Sequence, residues 1–138
     1  MRPSPSIDAP TLLAPVHASE HGLDICTAET GSLALARING PLDLATAPHF
    51  LNRLQPLFSP RRRVVLDLRG VDYIDSDGVR ALLRVQQDVE TDSGAIRLVV
   101  RPGSRVARTL SLLRLEHRFE IFESALDAWI RRPKRACC

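Results

Sequence analysis

A chain of 138 residues, 44% hydrophobic and 25% charged, suits one domain around one core and is too apolar for wholesale disorder. Its formal charge of +3 is local: Arg131, Arg132, Lys134 and Arg135 supply four positive charges near the end, and subtracting them leaves −1. The rest of the chain is near neutral, which argues against a surface built to collect nucleic-acid phosphates.

In chain order, residues 1–20 carry Pro3, Pro5, Pro10 and Pro15 among Ser, Ala and Thr without periodicity. Such a segment buries too little apolar surface to offset the entropy of ordering, so a flexible Pro-rich leader is expected. Its one apolar run, Thr11 to Ala18, is interrupted by Pro15 and His17 and does not read as a signal peptide. No stretch approaches the ~18 apolar residues that cross a bilayer. A cytoplasmic location and no membrane span are the resulting expectations.

Leu23, Ile25 and Thr27 alternate with polar residues, with Cys26 as a small core or edge residue. Gly31-Ser32 offers a turn, and Leu33, Leu35 and Arg37 alternate with Ala34, Ala36 and Ile38, so the two runs read as a hairpin. Thr46 is a plausible helix cap with Pro48 in the first turn. Ala47, Phe50, Leu51, Leu54 and Leu57 then form one apolar stripe, with Pro56 near its end. Arg61-Arg62-Arg63 reads as a solvated flank of the next strand, Val64 to Leu68. Asp67 inside that strand is expected to face a solvated edge or a backbone donor, and no role is assigned to it.

After a short loop, Val79, Leu82, Leu83 and Val89 trace a second helix closed by Gly94, and Ile96 to Val100 form another buried strand. Pro102-Gly103-Ser104 turns into a third helix carrying Val106, Leu110 and Leu113. A short extended stretch, Phe119 to Phe122, precedes a last helix capped by Ser124, with Ala125, Ala128 and Trp129 on one side. The order ββαβαβαβα predicts a single α/β domain over residues 21–131: a mixed sheet of about five strands with about four helices in one α/β layer pair. Residues 132–138 are expected to be a basic tail. Its Cys137-Cys138 resembles a prenylation end but is read as unmodified, and three cysteines in a chain this long make no disulfide framework.

The stretch richest in chemistry runs from Val64 to Val79, where a strand opens into a helix at Asp75-Ser76-Asp77-Gly78. Asp75 or Ser76 can accept from an orphan helical N–H, and Asp77 suits the positive end of the helix dipole. Gly78 lets another backbone approach closely. Helix-start chemistry alone accounts for all four residues.

This stretch resembles the signature of STAS domains: a strand ending in Asp-Leu, then Val71-x-x-Ile74-Asp75-Ser76-x-Gly78 leading into an amphipathic helix. Upstream, Gly40-Pro41-Leu42-Asp43 is similar to the family's Gly-x-Leu-Asp run before its first helix. The resemblance implies a non-enzymatic anti-sigma factor antagonist that binds an anti-sigma factor of the serine-kinase type and so frees a sigma factor to direct transcription. It implies partner contact at Asp43, Asp75, Ser76, Asp77, Gly78 and Val79, and phosphorylation at the helix start as the off-switch. In many antagonists the residue beside the Gly is the phosphorylated hydroxyl; here it is Asp77, so Ser76 is the remaining phosphorylation candidate. Asp77 could instead supply a permanent charge, or the chain could belong to a branch without the switch. Asp43 serves equally as a local turn former.

Two other functions compete. Asp72, Asp75 and Asp77 could hold Mg²⁺ as in a phosphoryl-transfer enzyme, but Lys134 is the chain's only lysine and no Gly-rich phosphate loop or Cys-His metal spacing is present. No cofactor, metal or catalytic residue is therefore expected. The second alternative, also implied by the resemblance, is a STAS subunit of a phospholipid-transport ABC system that binds its ATPase without a phospho-switch. Direct nucleic-acid binding is not expected; weak homodimerisation is. Under the docking reading, Gly78→Val is expected to weaken partner binding more than it lowers the melting temperature.

Overall fold

The computed structural model describes residues 16–130. One six-stranded sheet runs in sequential order: β1 (Val16–Glu20), β2 (Leu23–Glu29), β3 (Leu33–Leu42), β4 (Arg63–Ile74), β5 (Ala95–Val99) and β6 (Glu120–Phe122). The first two pairings are antiparallel and the last three parallel. Helices α1 (Ala47–Leu54), α2 (Ser76–Thr91) and α3 (Arg105–Leu112) make the three crossovers, and α4 (Ala125–Ile130) follows β6. The single mixed α/β domain expected from the sequence is present, with four helices and six strands rather than about five.

The additional strand is β1, whose residues the composition had assigned to the leader. Glu20 pairs with Leu23 across a two-residue turn in which His21 and Gly22 both have positive φ, 55° and 84°. That is the geometry whose twist matches paired strands. The residues of β1 are mainly polar, so backbone pairing, not apolar alternation, makes them a strand. The leader up to residue 15 and the tail from residue 131 lie outside the described residues.

The apolar alternation of the central strands sorts into two cores. Ala36, Ile38, Leu66, Leu68 and Leu98 face Phe50 and Leu54 of α1, Leu82 and Val85 of α2, and Val106 and Leu110 of α3. Leu33, Leu35, Val65, Val99 and Phe122 face the other way, onto Ala125 and Ala128 of α4 with Trp129 beside them. The sheet is therefore covered on both faces, where the sequence suggested one layer pair. The six residues of α4 carried no long stripe from which that second layer could be read.

Basic side chains hold α4 down. Arg97 is fully buried, pairs with Glu120 at 3.0 Å, donates to the Ala128 carbonyl at 2.9 Å, and lies 5.4 Å from the Phe122 ring centroid. Arg63 donates to the Trp129 carbonyl at 2.7 Å. Arg62 pairs with Glu29 and donates to the Leu57 carbonyl at 2.9 Å. Two members of the Arg61-Arg62-Arg63 run are thus structural ties and not a solvated flank; only Arg61 is exposed.

Strand β4 continues well past Leu68. Its register against β3 shifts twice, between Arg37 and Asn39 and between Gly40 and Pro41, and each shift places an extra β4 residue opposite β3. Gly70 and Gly40 permit this: a Cβ on Gly70 would collide with the Asn39 side chain, and Gly40 has φ 113°. The short loop expected between this strand and α2 is replaced by strand up to Ile74, and Asp75 alone forms the junction. Pro56 ends α1 as a 3₁₀ turn, Gln55–Leu57, because it has no N–H to continue the α ladder.

Asp67 is not at a solvated edge. It is 2% exposed, accepting from Arg69 Nε at 2.9 Å, Nη2 at 2.7 Å and the backbone N–H at 3.1 Å, with Arg37 Nε at 3.5 Å. Burial pushes its carboxyl up, but the Arg69 hydrogen bonds and the charges of Arg69 and Arg37 outweigh burial and hold it below the ordinary carboxylate value.

Candidate functional site

The two sequence motifs meet because Leu42, the last residue of β3, pairs with Ile74, the last of β4. The turn after β3 and the helix start after β4 therefore stand side by side at one end of the sheet. Strand ends of parallel pairs are where α/β folds present their variable chemistry, since the backbone there leaves the ladder.

The first turn is closed from within. The Asp43 backbone N–H donates to Thr46 Oγ1 at 2.9 Å, and the Thr46 N–H donates to Asp43 Oδ1 at 3.1 Å. The Thr46 hydroxyl donates onward to the Pro41 carbonyl at 2.9 Å, and Thr46 is fully buried. These bonds use Asp43 as a turn former. Leu44, inside the same turn, is 68% exposed.

At the second, Asp75 is the cap, in extended backbone with φ −121° and ψ −170°. Its Oδ1 accepts from the N–H groups of Asp77 at 2.9 Å and Gly78 at 3.0 Å, satisfying two donors that the helix leaves orphaned. Gly78 is buried, and a Cβ there would collide with the Leu42 carbonyl oxygen. The close backbone approach that glycine permits is thus made by this chain's own β3. Val79 is buried in the core cluster beside it.

The four motif residues divide by role. Asp75 and Gly78 are spent on building the junction, and Gly78 and Val79 offer no side chain to an incoming surface. Ser76 is exposed, and its hydroxyl makes no hydrogen bond among the described residues. Asp77 reaches only Arg80, one turn on, at 3.0 Å, and Arg80 is itself 75% exposed. Ser76, Asp77 and Arg80 form the accessible surface of the turn.

Two neighbours that the sequence reading left unassigned complete it. Tyr73 is 44% exposed at the end of β4, with the Arg105 guanidinium carbon 5.7 Å from its ring centroid. A groove between α1 and α2 opens beside the turn, lined in part by Leu44, Pro48, Leu51, Asp77 and Arg80. Strand alternation could not have flagged Tyr73, because the second register shift leaves Asp72 and Tyr73 exposed in succession. Leu44 carried no sequence signal beyond an apolar residue in a turn.

Asp72, Asp75 and Asp77 do not converge on a cation: among the described residues no group of three or more His, Cys, Asp or Glu could hold a metal. None of the described helices is long and apolar enough to cross a membrane.

The fold as a whole has counterparts in known proteins. The sequence model of the STAS domain matches residues 25–128. The chain belongs to the STAS domain family. Solved STAS-like structures share its fold at low identity. A Thermotoga maritima protein, provisionally assigned as an anti-sigma factor antagonist, is similar with a TM-score of 0.65 and 22% identity, over 76% of this chain and 93% of that one. An anti-sigma factor antagonist from Mycobacterium paratuberculosis is similar at 0.62 and 18%, over 89% and 93%. A sulfate transporter family protein from Wolinella succinogenes is similar at 0.60 and 21%, over 70% and 81%. At these identities the likeness is one of fold, and function has to be argued from the site itself.

Proposed function

We propose that this STAS domain is a non-catalytic, cytoplasmic anti-sigma factor antagonist that docks an anti-sigma factor of the serine-kinase type and so releases a sigma factor. The observation that carries the reading is the division of labour at the start of α2. Asp75 and Gly78 are consumed in building the junction, whereas Ser76 stands exposed at the first helical position with nothing internal to do. A hydroxyl there is open to a kinase. A phosphate on it would bring about −1.5 to −2 charges, which the helix dipole accommodates but a docked acidic or close-packed surface would not. The switch then acts on docking and spares the fold.

Contact is proposed to run through Ser76 and Asp77, flanked by Leu44 and Tyr73, with Asp43, Asp75, Gly78 and Val79 holding those groups in place. Two similar folds carry anti-sigma antagonist names, in keeping with the regulatory reading, and a third carries a sulfate transporter name. A second reading, an unswitched STAS subunit on the ATPase of a phospholipid-transport system, is favoured by one feature. Asp77 occupies the place of the second hydroxyl and is already paired with Arg80.

Affinity purification from the native cell, with mass spectrometry of partner and phosphosite, separates the two. An anti-sigma kinase as the bound protein, with label on Ser76 after incubation with that kinase and ATP, supports the antagonist. A transporter ATPase in its place sinks it.

A further inference from the structure

Between Arg101 and Leu115 the chain carries Arg101, Arg105, Arg108 and Arg114 and no acidic residue. Helix α3 buries Val106 and Leu110, which turns Arg105, Arg108 and Leu112 outward at helical spacing. Leu112 is 83% exposed and Leu113 52%. Elsewhere Arg37, Arg62, Arg69, Arg80, Arg84 and Arg97 each pair with a carboxylate, Arg63 and Arg118 bond to a carbonyl and to Gln86, and Arg53 and Arg61 stand singly, not as a cluster. Among the described residues none of the four arginines around α3 has a carboxylate partner. A positive field with two exposed leucines at its end is a surface whose complement is absent from the described domain.

We propose that the outer face of α3 docks an acidic, amphipathic segment of a partner protein. Carboxylates complement Arg105 and Arg108, and apolar side chains cover Leu112 and Leu113. The surroundings favour a short peptide segment over a broad polyanion. Arg105 stacks on Tyr73, so the basic face abuts the end of β4, where Asp72 is exposed, and the turn with Asp77 that follows it. An extended anionic lipid surface reaching Arg105 would be held against those carboxylates, and a nucleic-acid backbone offers nothing apolar to the leucines. A segment no longer than α3 avoids both costs. The inference deepens the docking reading above by naming the chemistry on the partner's side.

The test uses the full chain and a fluorescein-labelled helical peptide of Glu and Leu with the two types on opposite faces, followed by anisotropy. Saturable binding that weakens with added salt is expected, because exposed charges are screened over a Debye length. R105E/R108E is expected to lose roughly tenfold or more in affinity, and L112S/L113S to weaken binding without altering its salt dependence. R61E, an exposed arginine ahead of β4 and outside α3, is expected to bind like the wild type. Thermal unfolding of each variant verifies the fold. Absence of saturable binding, an equal loss in R61E, or tighter binding to phosphatidylglycerol vesicles or single-stranded DNA than to the peptide overturns the proposal. Its failure is separable from that of the antagonist reading, since the peptide assay needs no cellular partner and the capture experiment needs no peptide.

Discussion

The carbonyl oxygen of Leu42 accepts the Asp75 N–H at 3.4 Å and occupies the space that a Cβ on Gly78 would need. One carbonyl at the end of β3 therefore sets both the cap residue of α2 and the glycine three residues later. The signature turn is a packing unit between two parallel strand ends before it is anything else.

That relationship reverses the expectation for Gly78→Val, which the sequence reading took as chiefly a docking lesion. The colliding atom belongs to backbone and cannot swing away, so even Gly78→Ala is expected to cost about 1–3 kcal/mol of stability. Urea unfolding of Gly78→Ala measures it; a midpoint equal to wild type would show that β3 and α2 can part freely.

Asp75→Ala removes the acceptor of two helical N–H groups and is expected to cost on the order of 1 kcal/mol. Asp75→Asn keeps a side-chain oxygen and should recover most of it. Equal losses in the two variants would mean that the carboxylate charge, not the cap bond, matters at this position.

Ser76→Ala removes no internal hydrogen bond among the described residues, so stability should stay within about 0.5 kcal/mol. Phosphorylated protein should melt no lower than the unmodified form, because the added charge sits at the positive end of α2. A marked drop in melting temperature on phosphorylation would place the switch in the fold and not at the interface.

Asp67 sets a pH dependence. Its folded value lies below the unfolded carboxylate value of ~3.9. Its contribution is therefore fully present above that unfolded value and is lost as pH falls through the folded one. Wild type should exceed Asp67→Asn in urea midpoint by a constant margin near neutrality, and the margin should shrink on acidification below about pH 5. A margin that widens as pH falls would contradict the Arg69 and Arg37 pairing.

Local sequence pattern determined the fold class, the hairpin of β2 and β3, the cap at Ser124, a cap at Asp75 or Ser76, and the three crossovers, whereas Thr46 stands at the start of α1 without a side-chain cap bond. These depend on residue periodicity and turn chemistry within a dozen residues, which the chain displays directly. The site was legible as a motif but not as a set of roles: Asp75, Ser76, Asp77 and Gly78 look alike in a string of helix-start residues. Only tertiary structure separated them, because Gly78 is fixed by a carbonyl 36 positions earlier in the chain, and Ser76 is left over for the same reason. Strand β1 and the far reach of β4 were likewise decided by partners on other strands, and the Arg37 charge beside Asp67 comes from β3. Backbone pairing and long-range ion pairs need a neighbour in space, and the order of residues along one strand does not announce who that neighbour will be.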